Sequence, residues 1–199
     1  MIVLLIGYDK SKIKDFLKKN TTLYWIDGNK KITLELVNKY NPDYIVLHGC
    51  HSILSLDIVK TYKKRIINCH GAYLPYNRGA HPNVWSFIDN TPKGGTIQYI
   101  NENIDEGDIL IRDNIEIKNN DTLSTVYWRI RDLLEEMFIN NWDNIIKEKI
   151  TPIKQDLSIG KTHYRKDLDG IWPFFTNGWE TSIKEIEKIN GKNNICNTK

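Results

Sequence analysis

The sequence predicts an α/β domain with a mostly parallel, twisted sheet carrying helices on both faces, because apolar runs of strand length alternate with amphipathic stretches of helix length. Residues 2–7 and 44–47 are apolar at successive positions, as strands covered on both sides are, and a glycine follows or ends each run, at Gly7 and Gly49. Parallel neighbours need crossover connections, and the segments between these runs have helical spacing.

The first helix is expected over residues 11–19, where Ile13, Phe16 and Leu17 share a face, and residues 23–26 resume a strand before Gly28. Residues 32–40 form a second amphipathic stretch that Pro42 breaks. A short helix over 53–62 leads into residues 65–70, where β-branched side chains run directly into Asn68 and His70. Open α/β sheets bind ligands beyond the carboxyl ends of their strands, so these two residues are candidates for chemistry. After a Gly- and Pro-rich loop (71–82), residues 84–88 read as a helix, 95–100 and 109–117 as strands, and Asp105 falls in the connection between them. Asp121 is the expected N-cap of the longest helix, whose stripe includes Leu123, Val126, Ile130, Leu134 and Phe138. Such a stripe serves core packing or a partner subunit. Beyond residue 150 regularity fades, until Ile183, Ile186 and Ile189 suggest a last helix that Gly191 ends.

At 199 residues the chain suits one large domain, read as a catalytic domain over 1–150 and a C-terminal extension over 151–199 packing on it. Its 28 Lys and Arg against 25 Asp and Glu are spread along the sequence, unlike the clustered basic face of a nucleic-acid binder. Cys50, Cys69 and Cys196 form no framework and no CxxC pair, which points to reduced thiols in the cytoplasm and to no zinc site. The apolar N-terminal run is too short to span a bilayer and lacks a basic leader, so no membrane association is expected.

Asn68, His70 and Asp105 are complementary in type. An imidazole passes a proton near neutral pH, a carboxylate fixes its tautomer, and an amide donates to a developing oxyanion. One histidine and one aspartate alone would equally suit a core or a surface. Specificity comes from a longer pattern: Asn68-x-His70, then Leu74-Pro75-x-x-Arg78-Gly79, then Gly95-Thr96, then Ile104-Asp105-x-Gly107. In this order the motifs resemble those of the folate-dependent formyltransferases, with the strong match over residues 44–118.

The resemblance implies the Rossmann-like formyltransferase fold and a triad of Asn68, His70 and Asp105. In the implied reaction an amine attacks the formyl carbon of N10-formyltetrahydrofolate, with His70 assisting proton removal and stabilising the tetrahedral oxyanion, Asn68 donating to that oxyanion, and Asp105 orienting His70 or relaying a proton through water. No metal is implied. The pterin is expected between two loops, one with Gly49, Cys50, His51, Ile53 and Leu54, the other with Glu102, Asn103 and Ile104. His51 is read as a loop residue, since His70 alone has motif partners.

Among subfamilies, Gly7-Tyr-Asp-Lys-Ser-Lys12 lacks the Gly-Ser-Asn phosphate loop of the glycinamide ribonucleotide type. The methionyl-tRNA type has a C-terminal barrel for which residues 151–199 are short, and a formyltetrahydrofolate hydrolase usually bears an extra N-terminal domain. The runs 73–80, 82–86 and 160–165 look most like the nucleotide-sugar N-formyltransferases. The acceptor this implies is dTDP-4-amino-4,6-dideoxyglucose or a relative, with Tyr73, Asn77, Arg78 and Trp85 as candidate contacts and Arg78 placed either to fork onto diphosphate or, with Gly79, to shape the loop. Trp172, Phe174, Phe175 and Trp179 read as core or dimer seam, or as a stacking surface for a nucleobase. His81 and His163 could also touch a ligand. The expected partners are therefore a nucleotide sugar, folate and a second copy of the chain in a homodimer.

Overall fold

The computed structural model describes the backbone of residues 1–193 and the side chains of residues 1–188. It divides into two compact units that interleave along the chain. The first comprises residues 1–70, 97–111 and 134–155. It opens with β1 (Ile2–Gly7), α1 (Lys12–Asn20), β2 (Thr22–Asp27), α2 (Leu34–Tyr40), β3 (Tyr44–His48), α3 (Leu56–Thr61) and β4 (Ile66–His70). The second comprises residues 71–96, 112–133 and the chain from 156 onward. It contains β5 (Arg78–Gly79), α4 (Pro82–Ile88), β8 (Thr162–His163) and α6 (Ile183–Asn193). The strands β6 (Gly94–Tyr99) and β7 (Ile109–Asn114) and the long helix α5 (Leu123–Ile146) contribute residues to both units.

The main sheet runs in the order β2-β1-β3-β4-β6-β7 and is mixed but mainly parallel. β1 pairs in parallel with β2 on one side and with β3 on the other, so the chain reverses its direction of winding between β2 and β3. Ligands in open α/β folds collect beyond the strand ends at such a reversal. The β3–β4 register pairs Leu47 with Asn68 and His48 with Cys69, which sets the end of β4 beside the end of β3. Leu4, Ile6, Ile45, Leu47 and Ile66 meet Val37 of α2 and Ile58 of α3 in one buried cluster.

Local signals explain most boundaries. The Ser11 hydroxyl accepts from the Lys14 amide at 3.1 Å and caps α1, and Thr33 caps α2 in the same way through Leu36. Helix α3 is shorter than the expected 53–62, because residues 53 and 54 stay in the loop before Ser55. The expected N-cap of the long helix is displaced by one residue. The Thr122 hydroxyl accepts from the Thr125 amide at 3.2 Å and the Thr125 hydroxyl accepts from the Thr122 amide at 2.9 Å. Asp121 is turned instead to Arg129, which donates to its two oxygens at 2.7 Å each. That guanidinium holds the Asp121 carboxyl far below the usual carboxylate range.

The boundary expected at residue 150 is not where the chain divides. Residues 151–155 stay with the first unit, where Ile153 bridges Ile109 of β7. From residue 156 the chain is built into the second unit: β8 pairs with β5, Ser182 bridges Thr122, and α6 packs on α4. Helix α6 also continues through Gly191 instead of ending there, and Ile189 and Cys196 lie outside the described side chains. Among the described residues no helix is long and apolar enough to cross a membrane.

Candidate active site

Within the first unit, β4 delivers Asn68 and His70 at its carboxyl end, and the β6–β7 connection delivers Asp105. That connection is tightly folded. Asn101 donates to the Glu106 carbonyl at 2.9 Å, the Tyr99 amide donates to Asp108 at 3.0 Å, and Asp105 itself is left-handed at φ 53°. Gly107 is required by crowding, since a Cβ there would lie 1.7 Å from the Tyr99 carbonyl oxygen. The sequence signature Ile104-Asp105-x-Gly107 is thus a backbone specification that aims one carboxylate.

The three polar groups converge. Asn68 Nδ2 donates to Asp105 Oδ1 at 3.1 Å, and His70 Nδ1 lies 3.4 Å from Asp105 Oδ2. His70 is 6% exposed, so the pair sits in surroundings where charge–charge attraction is weakly screened. With Nδ1 facing the carboxylate, Nε2 is the nitrogen on the opposite edge of the ring, suited to exchange a proton with a reactant.

Two further residues hold this cluster. Gln98, fully buried on β6, donates to Asp105 Oδ1 at 2.8 Å. Gln155 donates to the Asp105 and Gly107 carbonyls at 2.8 and 2.7 Å and to Gln98 Oε1 at 3.2 Å, tying down the turn. Sequence reasoning missed both. Gln98 carried a signal, because it lies two positions after Thr96 on one face of a strand where both polar residues are fully buried. Gln155 carried none, lying in the irregular stretch after the long helix.

The two loops expected to flank a pterin belong to the same unit. Gly49 is left-handed (φ 78°) and packs against the Tyr8 ring, which a Cβ would overlap at 2.3 Å. The His51 amide donates to the Gly28 carbonyl at 2.9 Å, and Cys50 donates to the Ser52 carbonyl, with burial pushing its thiol pKa up. Cys50, Leu54 and Ile100 pack on the same core cluster, whereas Ile53 is 80% exposed. Glu102, Asn103 and Ile104 form the turn that leads into Asp105, with the Asn103 amide held by the Asn101 side chain at 3.0 Å.

The expected acceptor contacts lie in the second unit, where each is tied to neighbouring groups. Arg78 is 5% exposed; its Nε donates to the Thr162 hydroxyl at 3.0 Å and its Nη1 to the carbonyls of Pro75 and Ile159 at 3.0 and 3.4 Å. The fork expected to meet diphosphate thus shapes a loop. Asn77, 1% exposed, donates to Asp89 at 3.1 Å and accepts from Thr91. Trp85 is 6% exposed and stacks face to face on His163 at 3.9 Å, so its ring is covered by protein, although its indole nitrogen has no hydrogen-bond partner. Tyr73 lies beneath the Arg112 guanidinium, 4.5 Å from its ring centre.

His163 has a partner that the sequence concealed: its Nε2 lies 2.7 Å from Asp89, which also accepts from Lys161 at 3.1 Å. Burial of Asp89 opposes ionisation, but the hydrogen bonds from His163 and Lys161 prevail and hold the carboxyl below its ordinary pKa. A cavity of about 390 Å³ in this unit is bounded by His81, Arg165, Trp172 and Trp179 among others, and none of the triad lines it. Among the described residues no cluster of His, Cys, Asp or Glu could hold a metal ion.

Comparison with known proteins gives the following. The sequence profile of the family described as Formyl transferase matches residues 18–141. The formyltransferase PseJ from Anoxybacillus kamchatkensis, solved with UDP-4,6-dideoxy-4-formamido-L-AltNAc and tetrahydrofolate, is 34% identical. The similarity covers 94% of this chain and 97% of that one, with a TM-score of 0.86. A 4-N formyltransferase from Francisella tularensis shares the fold at 21% identity and a TM-score of 0.70, over 86% of this chain and 79% of that one. Among curated proteins, the methionyl-tRNA formyltransferase of Caldicellulosiruptor saccharolyticus is 34% identical over 162 residues, covering 79% of this chain. The chain spans 50% of that relative's length.

Proposed function

Because the chain belongs to the formyl transferase family, we propose that it transfers a formyl group from N10-formyltetrahydrofolate to the amine of a nucleotide-linked amino sugar. The observation that carries the proposal is the closure of one carboxylate, Asp105, on both the Asn68 amide and the His70 imidazole. The folate supplies the formyl carbon and takes a proton at N10 as tetrahydrofolate leaves. The chain supplies the rest. His70 accepts a proton from the attacking amine at Nε2, and Asp105 stabilises the imidazolium that results. The Asn68 amide nitrogen carries two hydrogens; one serves Asp105, and the other donates to the formyl oxygen as negative charge builds there. Gln98 and Gln155 keep the carboxylate in place. The loops around Ile53 and Asn103 hold the pterin.

For the acceptor, the similarity to PseJ over nearly the whole of both chains supports a UDP-linked 4-amino sugar over the dTDP-linked one expected from sequence. Relatives solved with dTDP compounds, among them the N-formyltransferase from Helicobacter canadensis, are 18 and 20% identical and support the fold alone. Charged initiator tRNA is the second reading, favoured by the names of the curated relatives, of which this chain matches about half the length.

The test is a panel. The protein is mixed with N10-formyltetrahydrofolate and, in turn, a UDP-4-amino sugar, its dTDP counterpart, glycinamide ribonucleotide, charged initiator tRNA and no acceptor, while tetrahydrofolate release is followed. Release with the UDP-amino sugar is expected. Equal release without acceptor would make the protein a hydrolase and end the proposal.

A further inference from the structure

The carboxyl end of the main sheet holds another buried pair of acid and imidazole, which the formyl chemistry derived above does not use. His48 ends β3 and Glu135 lies on α5, both in the first unit, with His48 Nε2 3.1 Å from Glu135 Oε1 and the side chains 2% and 4% exposed. We infer that these two are positioning residues that anchor the loop from Gly49 to Leu54 and thereby set the affinity for folate; this rests on reading that loop as one of the two that hold the pterin.

Connectivity is the first argument. The second oxygen of Glu135 accepts from the Lys12 amide at 3.1 Å, at the first residue of α1. The His48 carbonyl accepts from the Tyr8 amide at 2.9 Å, so the pair grips both ends of the short segment from Tyr8 to Lys12. That segment delivers the Tyr8 ring, which meets the His48 ring edge-on at 5.0 Å and lies against Gly49, where a Cβ would come within 2.3 Å of it. Gly28 closes on Gly49 as well, since a Cβ on Gly28 would lie 2.1 Å from the Gly49 carbonyl oxygen, and the His51 amide donates to the Gly28 carbonyl at 2.9 Å. The start of the loop is thus packed against two turns, and a displaced Tyr8 ring would pass its shift directly to it.

Energetics is the second. Burying an acid and an imidazole costs desolvation that their attraction offsets only in good geometry, so apolar side chains of similar volume would hold the core as well. Val46 and Ile67, beside the pair on the same face of the sheet, are apolar and fully buried. Cys69, the register partner of His48, adds no charge there, because burial and then the Glu135 carboxylate push its thiol pKa up. What the pair supplies and its apolar neighbours lack is a set of directional bonds that select one backbone arrangement.

The faces of the sheet are the third. Side chains alternate along a strand, so Cys69 and its register partner His48 point to one face, and Asn68 and His70 to the other. The pair therefore reaches the loop from the face opposite Asn68 and His70, and its loss should fall on folate binding and spare proton transfer.

The experiment measures tetrahydrofolate binding by calorimetry, hydrogen exchange at the Tyr8 and His51 amides, and steady-state kinetics. The variants are His48→Leu, Glu135→Leu, the double variant, Glu135→Gln and Tyr8→Ala, each in the full chain. Either leucine variant is expected to weaken tetrahydrofolate binding and raise KM for the formyl donor by about tenfold or more, the scale for a misplaced site, with kcat within about threefold of the wild type. The double variant should bind no more weakly than either single, because the two side chains act as a unit, and should melt close to the wild type. Glu135→Gln should bind nearly as the wild type does, since its amide oxygen accepts from Lys12 and its nitrogen donates to His48 Nε2 in the other tautomer. Tyr8→Ala leaves the buried pair in place and removes its link to Gly49, so it should show the same loss of affinity even if a leucine variant fails to fold. Unchanged tetrahydrofolate affinity in the folded leucine variants or in Tyr8→Ala would overturn the inference. A loss of affinity confined to variants that melt lower would also overturn it, and would make the pair an ordinary core tie. Wild-type protein that binds no tetrahydrofolate, with both amides losing protection in His48→Leu, would sink the folate reading and leave the anchoring of the loop standing. Unchanged protection in that variant would overturn the anchoring whatever the protein binds.

Discussion

His70 meets Asp105 at 3.4 Å in the first unit, and His163 meets Asp89 at 2.7 Å in the second, so by distance alone the second pair is the better-made dyad. Their surroundings differ in kind. Asp89 accepts from a lysine, a histidine and an amide, and the imidazole is stacked flat on Trp85. Asp105 accepts from two neutral amides, Asn68 and Gln98, beside its imidazole. A carboxylate already balanced by Lys161 gains little from a second positive charge. One held by neutral donors keeps its field for the imidazole and stabilises it when it takes a proton. The chemistry of the neighbours, more than the pairing, separates the proposed catalytic site from a tie between segments.

The largest expected effect tests that distinction. His70→Ala and Asp105→Ala should each lower kcat by about 10²- to 10⁴-fold, the usual cost of losing a general base or its orienting group, with circular dichroism unchanged. His163→Ala should mainly lower the melting temperature. If His163→Ala removes turnover as completely while melting like the wild type, the comparison drawn here is reversed.

Legibility in the sequence follows the same division. The alternating sheet and helices could be read because they are encoded locally, by apolar runs for β1 and β3 and side-chain caps at Ser11 and Thr33, and the convergence of Asn68, His70 and Asp105 because a run of ordered motifs, including a turn that needs Gly107, marked them. The Asp89 cluster could not, since its donors come from residues 77, 161 and 163, brought together by the pairing of β5 with β8. The bonds of Arg78 were hidden for a related reason. A guanidinium in a loop resembles a ligand contact until the chain at Ile159 and Thr162 arrives to bond it. Long-range strand pairing two residues long leaves no periodicity to detect.

A middle-sized effect follows from the second pair. Asp89→Asn removes the charge that Lys161 and His163 share, and should cost about 1–3 kcal/mol in urea denaturation at pH 7. The sign of its pH dependence is fixed. The folded pKa of Asp89 is depressed, so its carboxylate contributes fully above the ordinary value of about 3.9 and progressively less as pH falls through the folded value. The gap between wild type and Asp89→Asn should therefore be steady from pH 7 to about 5 and close in stronger acid. A gap that stayed open in strong acid, where any carboxylate is protonated, would mean that the tie does not depend on the Asp89 charge.

The smallest effect calibrates the others. Thr122→Ala removes one of the two reciprocal hydroxyl caps at the start of α5, the one that accepts from the Thr125 amide, in the same unit as Asp89 and remote in chemistry from the triad. It should cost about 1 kcal/mol, a typical N-cap loss. Because Thr122 has no part in proton transfer, any fall in kcat in this variant measures what lost stability alone does to turnover. A Thr122→Ala enzyme with wild-type kcat and a lowered denaturation midpoint licenses reading a kcat loss in His70→Ala as chemistry. A tenfold loss in Thr122→Ala would mean that the triad depends on how firmly α5 is anchored, and the kinetic contrast between the two histidines would have to be measured at matched stability.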